Sequence, residues 1–244
     1  MTYARLTRAL GTGVTVIAKD PECFAEPSPE GYTLESEMAG LIRTTAAAGI
    51  DCYHLLGYSV GGGLALVFAL AHPKRITSLT LIEPAWIGNA IGGEAEAEYL
   101  ANVDRVMELP VPERGPALLA AMEPPSDSGR TAPSLPPPPP WLGDRAARFA
   151  LLWSALRNTN LNLAALRDLR VPLYLPVGGR SHPRFMSAAH ELAARCPSAV
   201  IDCYPESSHL DPPHVAETNR FVASLHAMWR STELVVQKKS RRYR

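Results

Sequence analysis

One stretch leaves the chain little freedom: "DCYHLLGYSVGGGLALVFALAHP", residues 51–73. Its first seven residues are a short apolar run of the kind buried in a parallel sheet. Its last twelve, "GGLALVFALAHP", have helical spacing and are apolar almost all round, so this helix must be packed on most sides. The link between them is only Gly57-Tyr58-Ser59-Val60-Gly61. A buried strand that turns within five residues into a buried helix has to be a unit of a layered α/β structure.

The same alternation recurs along the chain. Strands are expected at "VTVIAK" (14–19), "ITSLTLIEP" (76–84), "VPLYLPVGG" (171–179) and "AVIDCYP" (199–205), because these runs are short, apolar and rich in β-branched residues. Helices are expected at "MAGLIRTTAAAG" (38–49), "FMSAAHELAARCP" (185–197) and "HVAETNRFVASLHAMWR" (214–230), from apolar spacing and glycine or proline stops. The fold class that follows is α/β, a mostly parallel sheet with helices on both faces. Residues 85–168 break the rhythm. They hold 11 of the 23 prolines, including the run at 136–140, between helical pieces "EAEYLANVDRVMEL" and "DRAARFALLWSALR". A polyproline run is extended and stiff. The segment therefore reads as a helical insertion with a rigid spacer. The expected division is a core of residues 1–84 and 169–235, an inserted lid at 85–168 and a basic tail, solvated and disordered, at 236–244.

Composition narrows the function classes. The formal net charge is zero over 244 residues, so no general field draws the protein to nucleic acid or to an anionic membrane. Four scattered cysteines include no CxxC pair, which argues against a disulfide framework or a zinc site. Cys52 and Cys203 lie in strand-like runs and read as small buried hydrophobes. No stretch is apolar for long enough to cross a bilayer, and the N-terminus lacks the pattern of a secretory signal. The expectation is a cytoplasmic protein with a small-molecule partner. No residue pattern asks for a cofactor or a metal.

The corner fits G-x-S-x-G in its required setting, strand before and helix after. A turn this sharp holds the serine in a strained backbone conformation, with glycines two before and two after clearing the neighbouring elements. The helix starts at the serine, so its free N–H groups face any anion formed there. Val60 N–H is thus the candidate oxyanion donor. A serine hydroxyl needs a base, and the base an orienting acid. His209, in "PESSHLDPPH" after the last strand, is the candidate base, and His214, a turn further on, its competitor. Tyr58 and Trp86 are the candidate substrate-binding side chains. Trp86, Trp141 and Trp153 line an apolar pocket or form the core of the insertion itself.

These pieces resemble the α/β-hydrolase superfamily from about residue 5 to 230, through "GYSVGG", "LTLIEP", "VPLYLPVGGRSHPRF" and "YPESSHLDPP". The resemblance implies that the lid follows the strand after the corner, where residues 85–168 fall. Two features depart from it. The acid of such proteins usually follows the strand "VPLYLPVGG", where this chain has Arg180-Ser181-His182-Pro183. Haloalkane dehalogenases are similar in taking their acid from the strand after the corner, and here that position is Glu83. A charged residue ending an apolar strand needs a partner, either His209 or a helix cap or lid residue. Asp211 is the reserve acid. The second departure is at the front: "YARLTRALGTGVTVIAKD" resembles the family's first helix and the strand after it, with the preceding strands absent. The strand that normally separates it from the corner strand, and whose loop gives a second oxyanion N–H, is absent too. The expectation is an N-terminally truncated fold, or a "VTVIAK" strand paired directly with the corner strand. The expected activity is hydrolysis of a small ester, lactone, thioester or related acyl compound by Ser59, His209 and Glu83. The alternative is a binding protein of the same fold with weak or no catalysis.

Overall fold

The protein is seen in a computed structural model that describes residues 3–25, 31–89, 93–122 and 141–242; of these, the side chains of 141–144, 163, 231 and 233–242 are outside the description. The polyproline run 136–140 and the Trp141 side chain therefore lie outside the described residues.

Four strands form one parallel sheet: β1 (Tyr53–Tyr58), β2 (Ile76–Ile82), β3 (Leu173–Gly178) and β4 (Ala199–Tyr204), in that spatial order. β1 pairs with β2 along its whole length, from Tyr53–Ile76 to Tyr58–Ile82. β3 pairs with β4 in the same way, and Pro176, inside β3, stands opposite Asp202 without breaking the register. β2 and β3 pair at Leu79–Leu173 and Thr80–Tyr174.

Period-two alternation sorts the strand side chains between two cores. Leu79 and Leu81 of β2 and Leu173, Leu175 and Val177 of β3 face one layer. That layer is α2 (Leu34–Ala47), α3 (Val60–Ala71) and α7 (Pro183–Arg195). Ile82, Tyr174 and Tyr204 face the other, built from α1 (Ala4–Leu10) and α9 (Thr218–Arg242), with short α8 (Pro213–Ala216) leading into it. A third apolar cluster joins α3 to α4 (Glu94–Glu108) and α6 (Trp141–Arg157), with α5 (Val111–Ala121) between those two in the chain. Both faces of the sheet are covered, as a parallel sheet requires.

Several expectations are corrected. Residues 14–19 form no strand. β-Branched residues favour a strand only where a pleated, half-buried surface is there to receive them. These residues run unpaired along a cavity of about 570 Å3 whose opposite wall is β1. β1 is consequently an edge strand among the described residues, and its burial is only partial where β3 is buried throughout. Residues 236–242 of the basic tail are helical rather than irregular: α9 continues to Arg242. Cys52 and Cys203 are exposed, whereas Cys23 and Cys196 are the buried pair, and all four are free thiols. Both misjudged cysteines lie at edges of the sheet region, Cys52 just before β1 and Cys203 in β4, whose strands are only partly buried. Among the described residues no helix is long and apolar enough to cross a membrane.

Candidate active site

Ser59 stands between β1 and α3 with φ 53° and ψ −123°. Among the described residues, only Ser59 and Glu83 (φ 43°) have positive φ without being glycine. Such backbone costs on the order of 1–3 kcal/mol per residue and persists only where the surroundings enforce it. The enforcement is visible. Ser59 N–H donates to Ile82 O at 3.0 Å, and Ser59 O accepts from Gly62 N–H at 2.9 Å and from Ala85 N–H at 3.0 Å. The end of β2 thus grips the corner from both sides.

The glycines of the motif do unequal jobs. A Cβ on Gly57 would lie 2.2 Å from Gly61 O and 2.8 Å from Gly62 Cα, so no side chain fits. A Cβ on Gly62 would press on Pro84 at 3.0 Å. At Gly61 a Cβ would meet nothing within 4 Å, which corrects the expectation that both glycines of G-x-S-x-G are needed for clearance.

From this corner a hydrogen-bonded chain runs inward. Ser59 Oγ is 3.1 Å from His209 Nε2, and His209 Nδ1 is 2.8 Å from Glu83 Oε2. Glu83 Oε1 accepts from Gly178 N–H at 2.7 Å. His209 and Glu83 are buried, at 1% and 0% exposure. The carboxylate therefore starts at the end of β2 and crosses to the end of β3, beyond the last β2–β3 register pair. An ionised carboxylate at Nδ1 favours the tautomer with the proton there, leaving Nε2 to accept the serine proton.

The ring of His209 is held on its faces as well. Phe185, in the first turn of α7, stacks on it with centroids 4.3 Å apart and planes 8° apart. Tyr58 lies against it at 5.2 Å, and the Tyr58 hydroxyl donates to His209 O. Burial, and then the charge of Glu83, pushes the Tyr58 phenol well above its ordinary range. Tyr58 thus supports the His209 loop from behind. Trp86 is fully covered inside the α3–α4–α6 cluster and donates from Nε1 to Asn89 Oδ1 at 2.9 Å. Trp153 is in the same cluster and donates to Asp104 Oδ1 at 2.7 Å. Val60 is the first residue of α3, next to the serine.

The competitors fall away from the chain. His214 is wholly buried among Tyr3, Tyr58 and Phe221, and neither ring nitrogen has a hydrogen-bond partner. Burial lowers its pKa to about 4. Asp211 is exposed and closes a small turn with Ser208, its N–H donating to Ser208 Oγ. Sequence reasoning missed Gly178, Phe185 and Arg184. No local signal marked them: Arg184 and Phe185 lie just past the stretch Arg180-Ser181-His182-Pro183 in which an acid was sought and not found.

The comparisons agree with this geometry at the level of fold. The family model described as the alpha/beta hydrolase family matches residues 1–225. The acetyltransferase component of the acetoin cleaving system of Cupriavidus necator, a dihydrolipoyllysine-residue acetyltransferase, is 33% identical over 107 residues, 43% of this chain and 28% of that protein. The 2-hydroxy-6-oxo-6-phenylhexa-2,4-dienoate hydrolase of Comamonas testosteroni is 32% identical over 92 residues, 35% of this chain and 31% of that protein. The matched stretch thus spans less than a third of either relative. A solved thermophilic esterase from Thermogutta terrifontis superposes with a TM-score of 0.67 at 20% identity, covering 95% of this chain and 85% of that one.

Proposed function

The chain belongs to the alpha/beta hydrolase family, and from that premise we propose that it is a serine hydrolase acting on a small ester, lactone, thioester or related acyl substrate. Ser59 Oγ attacks the carbonyl while His209 Nε2 takes its proton. Glu83 keeps the imidazole aligned and offsets the charge it gains. Val60 N–H, at the positive end of α3, supports the oxyanion. His209 then protonates the leaving group, and water, activated by the same imidazole, releases the acyl group from Ser59. What carries the reading is the unbroken chain Ser59–His209–Glu83–Gly178, with two strained residues at its ends of β1 and β2.

A second reading is motivated by the open side of β1. Among the described residues no strand precedes β1, and the strand whose loop would give a second N–H beside Val60 has no counterpart in the sequence reading. Loss of one donor of an oxyanion pair costs on the order of 100-fold to 1000-fold. On this reading the chain is a binding protein of the hydrolase fold.

A fluorophosphonate probe separates the two. Labelling at Ser59 that disappears in His209→Ala, together with p-nitrophenyl ester turnover lost in Ser59→Ala, supports the hydrolase. Folded protein that takes no label supports the binding protein.

A further inference from the structure

Arg184 is the second residue of α7, and its side chain has no exposure to solvent. Its location is doubly unfavourable. A cation in the first turn of a helix opposes the dipole, and a guanidinium withdrawn from water needs a full set of partners. It has one strong partner. Nε and Nη2 donate to the two oxygens of Glu96 at 2.9 and 2.8 Å, and Glu96 is itself buried in the first turn of α4. Nη1 is buried with no hydrogen-bond partner. Apolar pairs in such buried spaces are often as stable or more stable, so the ion pair calls for a reason besides stability.

Its neighbours do. The guanidinium lies 3.7 Å above the ring of Tyr99 in α4 and 4.5 Å from the ring of Phe185. Phe185 is the ring stacked flat on His209. Nη2 also approaches Ala85 O at 3.4 Å, and Ala85 N–H holds Ser59 O. One planar group thus touches the helix above the site, the ring that fixes the imidazole and the residue that holds the serine backbone. Planarity and bidentate pairing are properties of arginine that lysine lacks.

We infer that the buried Arg184–Glu96 pair is a positioning device: it clamps α4 against α7 and, through Phe185, sets the plane of His209. This rests on His209 being the base proposed above. Arg184 and Glu96 are positioning residues, with no contact to reacting atoms assigned to them. A misplacement of about 1 Å in such a site costs on the order of 100-fold in rate, so loss of the clamp is expected to lower kcat by about 10-fold to 100-fold and to leave KM little changed.

The test is Arg184→Met combined with Glu96→Leu, which removes both charges and keeps apolar volume. The clamp predicts a melting temperature unchanged or raised, a lower kcat per fluorophosphonate-titrated site, and a displaced His209 ring resonance in the proton NMR spectrum. Arg184→Lys, which keeps the charge without the fork or the plane, is expected to recover only part of the rate. An unchanged kcat per titrated site with an unmoved His209 resonance overturns the inference. If the double variant does not fold, Arg184→Lys is read by the same two measurements with the same criteria. If the unaltered protein shows no Ser59-dependent turnover, the hydrolase reading fails, and the His209 resonance still decides the clamp.

Discussion

On one flank of Ser59 stand Glu83, His209, Phe185 and Arg184, none more than 1% exposed. On the other flank β1 ends the sheet among the described residues, and a cavity of about 570 Å3 separates it from residues 14–19. The first flank is where protons would be moved, and every group in it is fixed by at least two neighbours. The second is where an oxyanion would be met, and its wall is an edge strand. The difference teaches that the acid–base half of the site is supported mainly by the packed interior of the sheet, with Tyr58 its one tie to β1.

The contrast can be broken most directly at the acid. Glu83→Gln retains the hydrogen bond to Gly178 but removes the charge that fixes the imidazole tautomer, and turnover is expected to fall by about 10^4-fold with little loss of folded protein. Stopped-flow or steady-state ester kinetics check it, and a change under tenfold would remove Glu83 from the mechanism. Stability probes the packing difference itself. Leu81 is fully buried on β2, and Leu81→Ala is expected to cost about 2–5 kcal/mol. Leu55, half-buried on β1 and lining the cavity, is expected to cost about 1–2 kcal/mol when cut to alanine. Equal losses in urea denaturation would mean the two flanks are equally tight.

A pH titration sharpens the same point, because His214 lies on the closed flank between Tyr58, Tyr3 and Phe221. Its folded pKa is about 4, below the ordinary value near 6.5. Between these values the unfolded chain binds the proton and the native protein does not, so the contribution of His214 is present above about pH 6.5 and is lost as pH falls toward 4. The loss amounts to about 3 kcal/mol, and His214→Phe is expected to flatten that part of the stability curve. The smallest effect belongs to the open flank. Gly61→Ala meets no atom within 4 Å and is expected to raise stability by about 0.5–1 kcal/mol, seen as a small rise in melting temperature.

Much of this was legible because it depends on local pattern. The corner, its serine, and the four strands from β1 to β4 are written in short apolar runs punctuated by glycine and proline. Glu83 was legible by a different route: the resemblance offered the end of the strand after the corner as an acid position, and a carboxylate ending a buried strand requires a counterpart, but only the structure shows that the counterpart is His209. Residues 14–19 have the same strand signature as β2 yet form none, because a strand exists only with a neighbour to pair with. Cys52 and Cys203 were misread for the same reason, since burial depends on which strands lie at an edge. The clamp was invisible. Arg184 and Glu96 are 88 residues apart, and nothing local distinguishes them from charges on a solvated face.

The sequence by itself determined the alternation of strand and helix, the strained serine between them and the histidine late in the chain, since each follows from periodicity, glycine and proline within a few residues. Only the tertiary structure decided that β1 is an edge among the described residues, that Glu83 reaches from the end of β2 to Gly178 on the neighbouring strand, and that a buried ion pair sits behind the ring stacked on the imidazole. Those outcomes come from pairing and desolvation between distant segments, and such energies exist only once the segments have met.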